Sequence, residues 1–121
     1  MGSDAGEKLS IDLSEIRKEV DDARLLHAVL KEYCAYLGEQ TKQLEHAFRR
    51  EEHSEVRRIA HAIRGGAAIL GAATLAELAF TVERNVADGR TSQLQGSVCA
   101  VVEAVKRACR DLTLLARGPA E

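Results

Sequence analysis

Between residues 22 and 117, apolar side chains return every three or four positions in four long blocks, with charged residues filling the intervals. Leu26, Leu30, Tyr33, Leu37, Thr41, Leu44 and Phe48 make the first block. It reads as a helix from about Asp22 to Arg50, with Gly38 as a point where it can bend. Val56, Ile59, Ile63 and Leu70 predict a helix over 51–70, and Gly71 supplies its stop. Leu75, Leu78, Val82 and Val86 predict the next, ending at Asp88-Gly89. The last block is the most regular: Leu94, Val98, Val101, Val105, Ala108, Leu112 and Leu115 form one unbroken seam. Ahead of these, Leu13, Ile16 and Val20 fit a short helix with Asp12 as N-cap and Glu15 completing a capping box. Short links between long helices force neighbours to run antiparallel. The pattern therefore predicts an all-α, antiparallel up-down four-helix bundle with a short additional N-terminal helix.

Composition sharpens this picture. A chain of 121 residues suits one domain with one core, expected over residues 10–117. The small, polar residues 1–9 are expected to be disordered, with an opening MGS compatible with a cloning remnant, and 118–121 to fray. With two Phe, two Tyr and no Trp, the core must come from Leu, Val, Ile and Ala. A net charge of −2 argues against nucleic acid as a partner. No apolar run approaches the roughly 20 residues of a membrane span, and no signal peptide is visible, so no membrane insertion is expected. Cys34, Cys99 and Cys109 form no C-x-x-C pair. They read as small fillers on helices in a reduced, cytoplasmic setting.

The stretch HAIRGGAAILGA at 61–72 stands out. Each glycine in a helix interior costs about 1 kcal/mol relative to alanine, so Gly65 and Gly66 need a reason. At about 100° per residue, His61 points away from Val56, Ile59 and Ile63, outward or along the bundle's edge. Arg57 and Arg58 lie one turn before it, Arg64 and Gly65 one turn after, and Ala68 two turns on. An accessible imidazole is a nucleophile towards phosphorus, and a neighbouring cation stabilises the charge on a transferring phosphoryl group. A bare surface at Gly65 and Ala68 would let another protein's active site close on the ring. The hairpin formed by the third and fourth helices pivots near Ala72, with His61 eleven residues before it and Glu83 eleven after. The two side chains should therefore face each other. A carboxylate accepting from Nδ1–H would fix the tautomer and leave Nε2 free to attack.

These residues resemble the histidine-containing phosphotransfer (HPt) domain, whose motif is similar to H-x-x-K/R-G followed by small residues and a further glycine. His61, Arg64, Gly65, Gly66, Ala67 and Gly71 stand in that pattern, and the similarity extends over about residues 22–89. The resemblance implies that His61 is phosphorylated at Nε2, that Arg64 contacts the phosphate, that Glu83 steadies the ring and that Gly65 admits a docking receiver domain. Arginine at 64 departs from the family's more usual lysine and presents a rigid fork in place of a point charge. The resemblance also implies a phosphocarrier and not an enzyme, with no nucleotide or metal site and no cofactor; the Mg²⁺ belongs to the partner. The expected partners are a response-regulator receiver domain and a sensor or hybrid histidine kinase, engaged by a monomer. The double glycine is most similar to the phosphotransfer domain of chemotaxis-type kinases. Direct phosphorylation by an ATP-binding kinase domain is thus the alternative, and a structural helical adaptor is the alternative of another class.

Other features have plainer readings. His27, His46 and His53 do not cluster with His61 at metal-ligand spacing and read as surface or structural. Arg49, Arg50, Arg57 and Arg58 divide evenly between solvated surface and partner steering, with Glu51, Glu52 and Glu55 offsetting them. Gly66 points nearer the neighbouring helix and suits close packing. Leu25, Val29, Tyr36 and Phe80 lie off the main seams, where a five-element bundle would take them into its core. Leu25 and Val29, partly covered by the first helix, are otherwise the ridge expected to meet a receiver.

Overall fold

The computed structural model describes residues 11–117, with side chains through Leu114. Five helices follow in order: α1 (Ser14–Glu19), α2 (Ala23–Arg49), α3 (His53–Ile69), α4 (Ala73–Ala87) and α5 (Thr91–Arg117). Among the described residues there are no strands, only an isolated bridge between Ile11 and Ala72. The last four helices pack in a ring, α2 on α3, α3 on α4, α4 on α5 and α5 back on α2. The bundle is the one that the apolar spacing predicts. The segments expected to be disordered or frayed, 1–9 and 118–121, and the Leu115 side chain at the end of the α5 seam lie outside the described residues.

Leu30, Leu37 and Leu44 of α2, Val56, Ile59 and Ile63 of α3, Leu75 and Val82 of α4, and Leu94, Val98, Val101, Val105 and Leu112 of α5 fill the interior. Ala60 and Ala67 of α3 and Ala79 of α4 are wholly buried. Such small side chains let backbones approach closely, which suits the tight α3–α4 hairpin that carries His61. Gly66 packs against α2 as its direction implied: a Cβ there would stand 3.4 Å from Tyr36 and 3.6 Å from Leu37. Helix α2 runs unbroken through Gly38, whose carbonyl accepts from the Thr41 hydroxyl at 2.8 Å.

All three turns between the long helices are Schellman motifs. In each, the N–H of the second residue past the cap returns five residues to a helix carbonyl. The pairs are Glu52 N–H to Ala47 O (3.0 Å), Ala72 N–H to Ala67 O (2.8 Å) and Arg90 N–H to Asn85 O (2.8 Å). The left-handed residue is Gly71 in the second turn and Gly89 in the third, each at φ 70°, but Glu51 in the first, at φ 58°.

The N-terminal segment closes one end of the bundle. The Asp12 N–H donates to Gly71 O at 2.9 Å, and Ile11, Leu13 and Ile16 are buried. This contact overturns the expected capping box. With its N–H committed to Gly71, Asp12 has none left for Glu15, which pairs with Lys18 instead at 3.2 Å. The helix begins at Ser14, whose N–H donates to the Asp12 carboxylate at 2.9 Å, and that bond holds the carboxyl below its ordinary value. Nor does α1 cover the ridge on α2, because Leu25 stays 54% exposed.

Candidate functional site

His61 lies mid-way along α3 with its side chain 67% exposed, whereas the Glu83 side chain facing it from α4 is only 10% exposed. Nδ1 stands 3.2 Å from Glu83 Oε1, so the mirrored positions of the hairpin do bring the pair together. Arg64 joins them. Its Nη2 is 3.3 Å from the same Nδ1, and its Nε is 2.9 Å from Glu83 Oε2. No N–H is aimed along that second line, so Oε2 has charge compensation without a directed hydrogen bond.

The Glu83 and Arg64 contacts ask for opposite tautomers of the ring, and the carboxylate, more buried than the guanidinium and with less access to water, weighs more. A guanidinium can only donate, and an ionised carboxylate can only accept. Were Nδ1 unprotonated, its lone pair would face a carboxylate oxygen at 3.2 Å. With Nδ1 protonated, the ring donates to Glu83, and the lone pair falls on Nε2, which makes no hydrogen bond to any described residue. The carboxylate would be costly to bury alone, and Arg64 supplies the compensating charge.

Arg64 stands beside His61, one turn on, and also leans towards Glu83. It lies at the α3–α4 edge, its guanidinium carbon 4.9 Å from the centroid of the Phe80 ring, with Arg84 also over that ring at 5.8 Å. Phe80 was expected in the core but is 41% exposed, and it serves as the platform beneath Arg64. The count that pairs His61 with Glu83 also pairs Arg64, eight residues before Ala72, with Phe80, eight after. That signal was present in the sequence.

The remaining candidates divide into two groups along α3. Towards its N-terminus, Ser54, Arg57 and Arg58 line an open groove with His61, Phe80 and Glu83. Arg58 is held by Glu55 at 2.7 Å, which raises its pKa and lowers that of Glu55. Arg57 makes no ion pair among the described residues. Towards the C-terminus, Gly65 and Ala68 are exposed, and a Cβ on Gly65 would meet nothing within 4 Å. The packing of Gly66 on Tyr36 sets the α2–α3 register and places His61 level with about residue 41 of α2. Leu25 and Val29 thus lie roughly 20 Å along the axis from the histidine. Val29 is half-buried against the core, and Tyr36, of the same ridge, is nearer. Tyr36 and Ile69, both exposed, line a second hollow beside Gly66.

A family model for the Hpt domain matches residues 28–116. The chain belongs to the Hpt domain family. An Hpt domain takes part in phosphotransfer in two-component systems and works with receiver domains and histidine kinases. The matched span of this Hpt domain takes in α3, α4 and nearly all of α2 and α5, and so contains His61, Arg64 and Glu83. Comparison with curated proteins and with solved structures found no significant match. Among the described residues, no helix is long and apolar enough to cross a membrane, and no cluster of side chains could hold a metal ion.

Proposed function

We propose that this Hpt domain accepts a phosphoryl group on Nε2 of His61 and exchanges it with the aspartate of a response-regulator receiver. The observation that carries the reading is a largely exposed imidazole whose Nδ1 faces a buried carboxylate at 3.2 Å. The Nε2 lone pair attacks the phosphorus of an aspartyl phosphate, an N–P bond forms, the acyl P–O bond breaks, and the aspartate leaves as a carboxylate. The ring becomes an imidazolium that keeps its Nδ1 proton, and Glu83 stabilises that charge. Arg64, released from Glu83 by a change of rotamer, turns its fork to the phosphoryl oxygens. The Mg²⁺ needed for the step is held by the receiver. Gly65 and Ala68 form the surface on which the receiver closes, and Arg57 and Arg58 steer its acidic site. Leu25 and Val29 meet the partner at the rim of the interface.

Incubation with a phosphorylated receiver tests this. The expected product is an acid-labile, base-stable adduct on the Hpt domain, absent from His61→Gln. A folded protein that acquires no such adduct from any receiver or kinase would refute the reading. The double glycine favours one further arrangement, direct phosphorylation of His61 by an ATP-binding kinase domain. Labelling by such a domain and ATP with no receiver present would select it.

A further inference from the structure

On the other side of the bundle, where α2 meets α5, two thiols reach across the same gap. Cys34 Sγ lies 3.8 Å from the carbonyl oxygen of Cys109, and Cys109 Sγ lies 3.7 Å from that of Cys34. Both pack partly buried against the core, one turn from buried residues, Leu30 and Leu37 for Cys34, and Val105 and Leu112 for Cys109. Both are half-exposed, so a small solute can enter, and the third cysteine, Cys99, is exposed elsewhere on α5. A pair of fillers chosen only for size would not need such reciprocal contact.

We propose that Cys34 and Cys109 are a redox modification site that a peroxide converts to an intramolecular disulfide, tying α2 to α5. The Cys34 thiolate attacks one peroxide oxygen; an S–O bond forms, the O–O bond breaks and hydroxide leaves. Cys109 then gives up its proton and attacks the Cys34 sulfur; the S–S bond forms and the S–O bond breaks. Two thiols and one hydrogen peroxide become one disulfide and two waters, the sulfurs oxidised and the peroxide reduced. The order follows from the contact between the thiols. Contact with Cys109 lowers the pKa of Cys34, while contact with Cys34, with burial, pushes that of Cys109 up. Cys34 is thus the better thiolate and Cys109 the resolving partner. The loop so closed spans α3 and α4, and constraining it in the unfolded chain stabilises the fold.

The test uses the full chain carrying Cys99→Ser, which removes the exposed thiol. After treatment with a few equivalents of hydrogen peroxide, the intact mass is expected to fall by two hydrogens. Both remaining thiols should resist alkylation after denaturation, the Cys34 and Cys109 peptides should be found joined, and dithiothreitol should reverse the change. The oxidised form should melt several degrees higher. Adding Cys109→Ser should leave a sulfenic acid on Cys34 that a dione reagent traps. A mass that rises by oxygens on either cysteine without a bridge, two thiols that stay free, or a bridge only between two chains would each overturn the proposal. None of these readouts depends on phosphotransfer, so the outcome stands apart from the fate of His61.

Discussion

Glu83, Arg64 and Phe80 are linked to the ring of His61 by contact, and they make two separable predictions. Glu83→Gln keeps an acceptor for Nδ1–H but removes the charge that balances Arg64 and an imidazolium. Glu83→Ala removes both. Single-turnover transfer from a phosphorylated receiver should slow by about 10- to 100-fold in Glu83→Ala, the range found where the partner that orients a functional histidine is lost. Glu83→Gln should fall between it and the wild type, and equal rates for all three would show the 3.2 Å contact to be incidental. Phe80 acts on the site through Arg64. A double-mutant cycle of Phe80→Leu and Arg64→Gln, read as urea stability, should give a coupling of about 0.5–1 kcal/mol, that of a partly exposed cation–π pair. The His61–Glu83 pairing was legible because two helices joined by a tight turn must mirror about it. The pairing of Arg64 with Glu83 was not read, because wheel geometry reports where a Cα points, while a long side chain follows the nearest buried opposite charge. Phe80, read as off the seam but inside a five-element bundle, is instead 41% exposed, with Arg64 and Arg84 over its ring.

At the level of elements, α2 and α3 were readable from spacing to within two residues, and the turns were readable only where glycine marks them. Gly71 and Gly89 announced theirs. Glu51 did not, since nothing about a glutamate signals a left-handed backbone. An L-residue there costs roughly 1–2 kcal/mol, part of which glycine returns as freedom in the unfolded chain. Glu51→Gly should therefore raise stability by about 0.5–1 kcal/mol, seen as a higher urea midpoint at unchanged slope. The other two turns allow the converse comparison. A Cβ at Gly89 meets open space, so Gly89→Ala should cost only the strain of its positive φ, about 1 kcal/mol. A Cβ at Gly71 would fall on the carbonyl oxygen of Asp12. Gly71→Ala should thus destabilise more than Gly89→Ala and speed amide exchange at Asp12, whose bond to Gly71 would be broken. Equal effects would mean that the N-terminal segment is not anchored there. That contact joins residues far apart in the chain, which is why the capping box read from local spacing failed.

Across the whole molecule, the surface around His61 is asymmetric. One direction along α3 leads to Ser54, Arg57 and Arg58, polar and cationic, and the other to Gly65, Ala68, Ile69 and the face of Tyr36, smooth and largely apolar. Gly65 is the position where the fold and the proposed activity want different residues. It sits inside α3 with nothing near its missing side chain, so the bundle gains nothing from glycine there. By helix propensity alone, Gly65→Ala should stabilise the domain by about 1 kcal/mol, and Gly65→Gln by slightly less. A partner closing on His61 would meet the Gln side chain one turn from the ring. Gly65→Gln should therefore melt higher than the wild type yet receive phosphoryl groups from a receiver at least about tenfold more slowly, a loss of roughly 1.4 kcal/mol in transition-state stabilisation. Phosphoramidate, a donor small enough to pass the added side chain, should label His61 at the same rate in both proteins. A stabilised variant that still transfers at full speed would free Gly65 from any docking role, whereas slowed labelling by the small donor would place the fault in the imidazole itself.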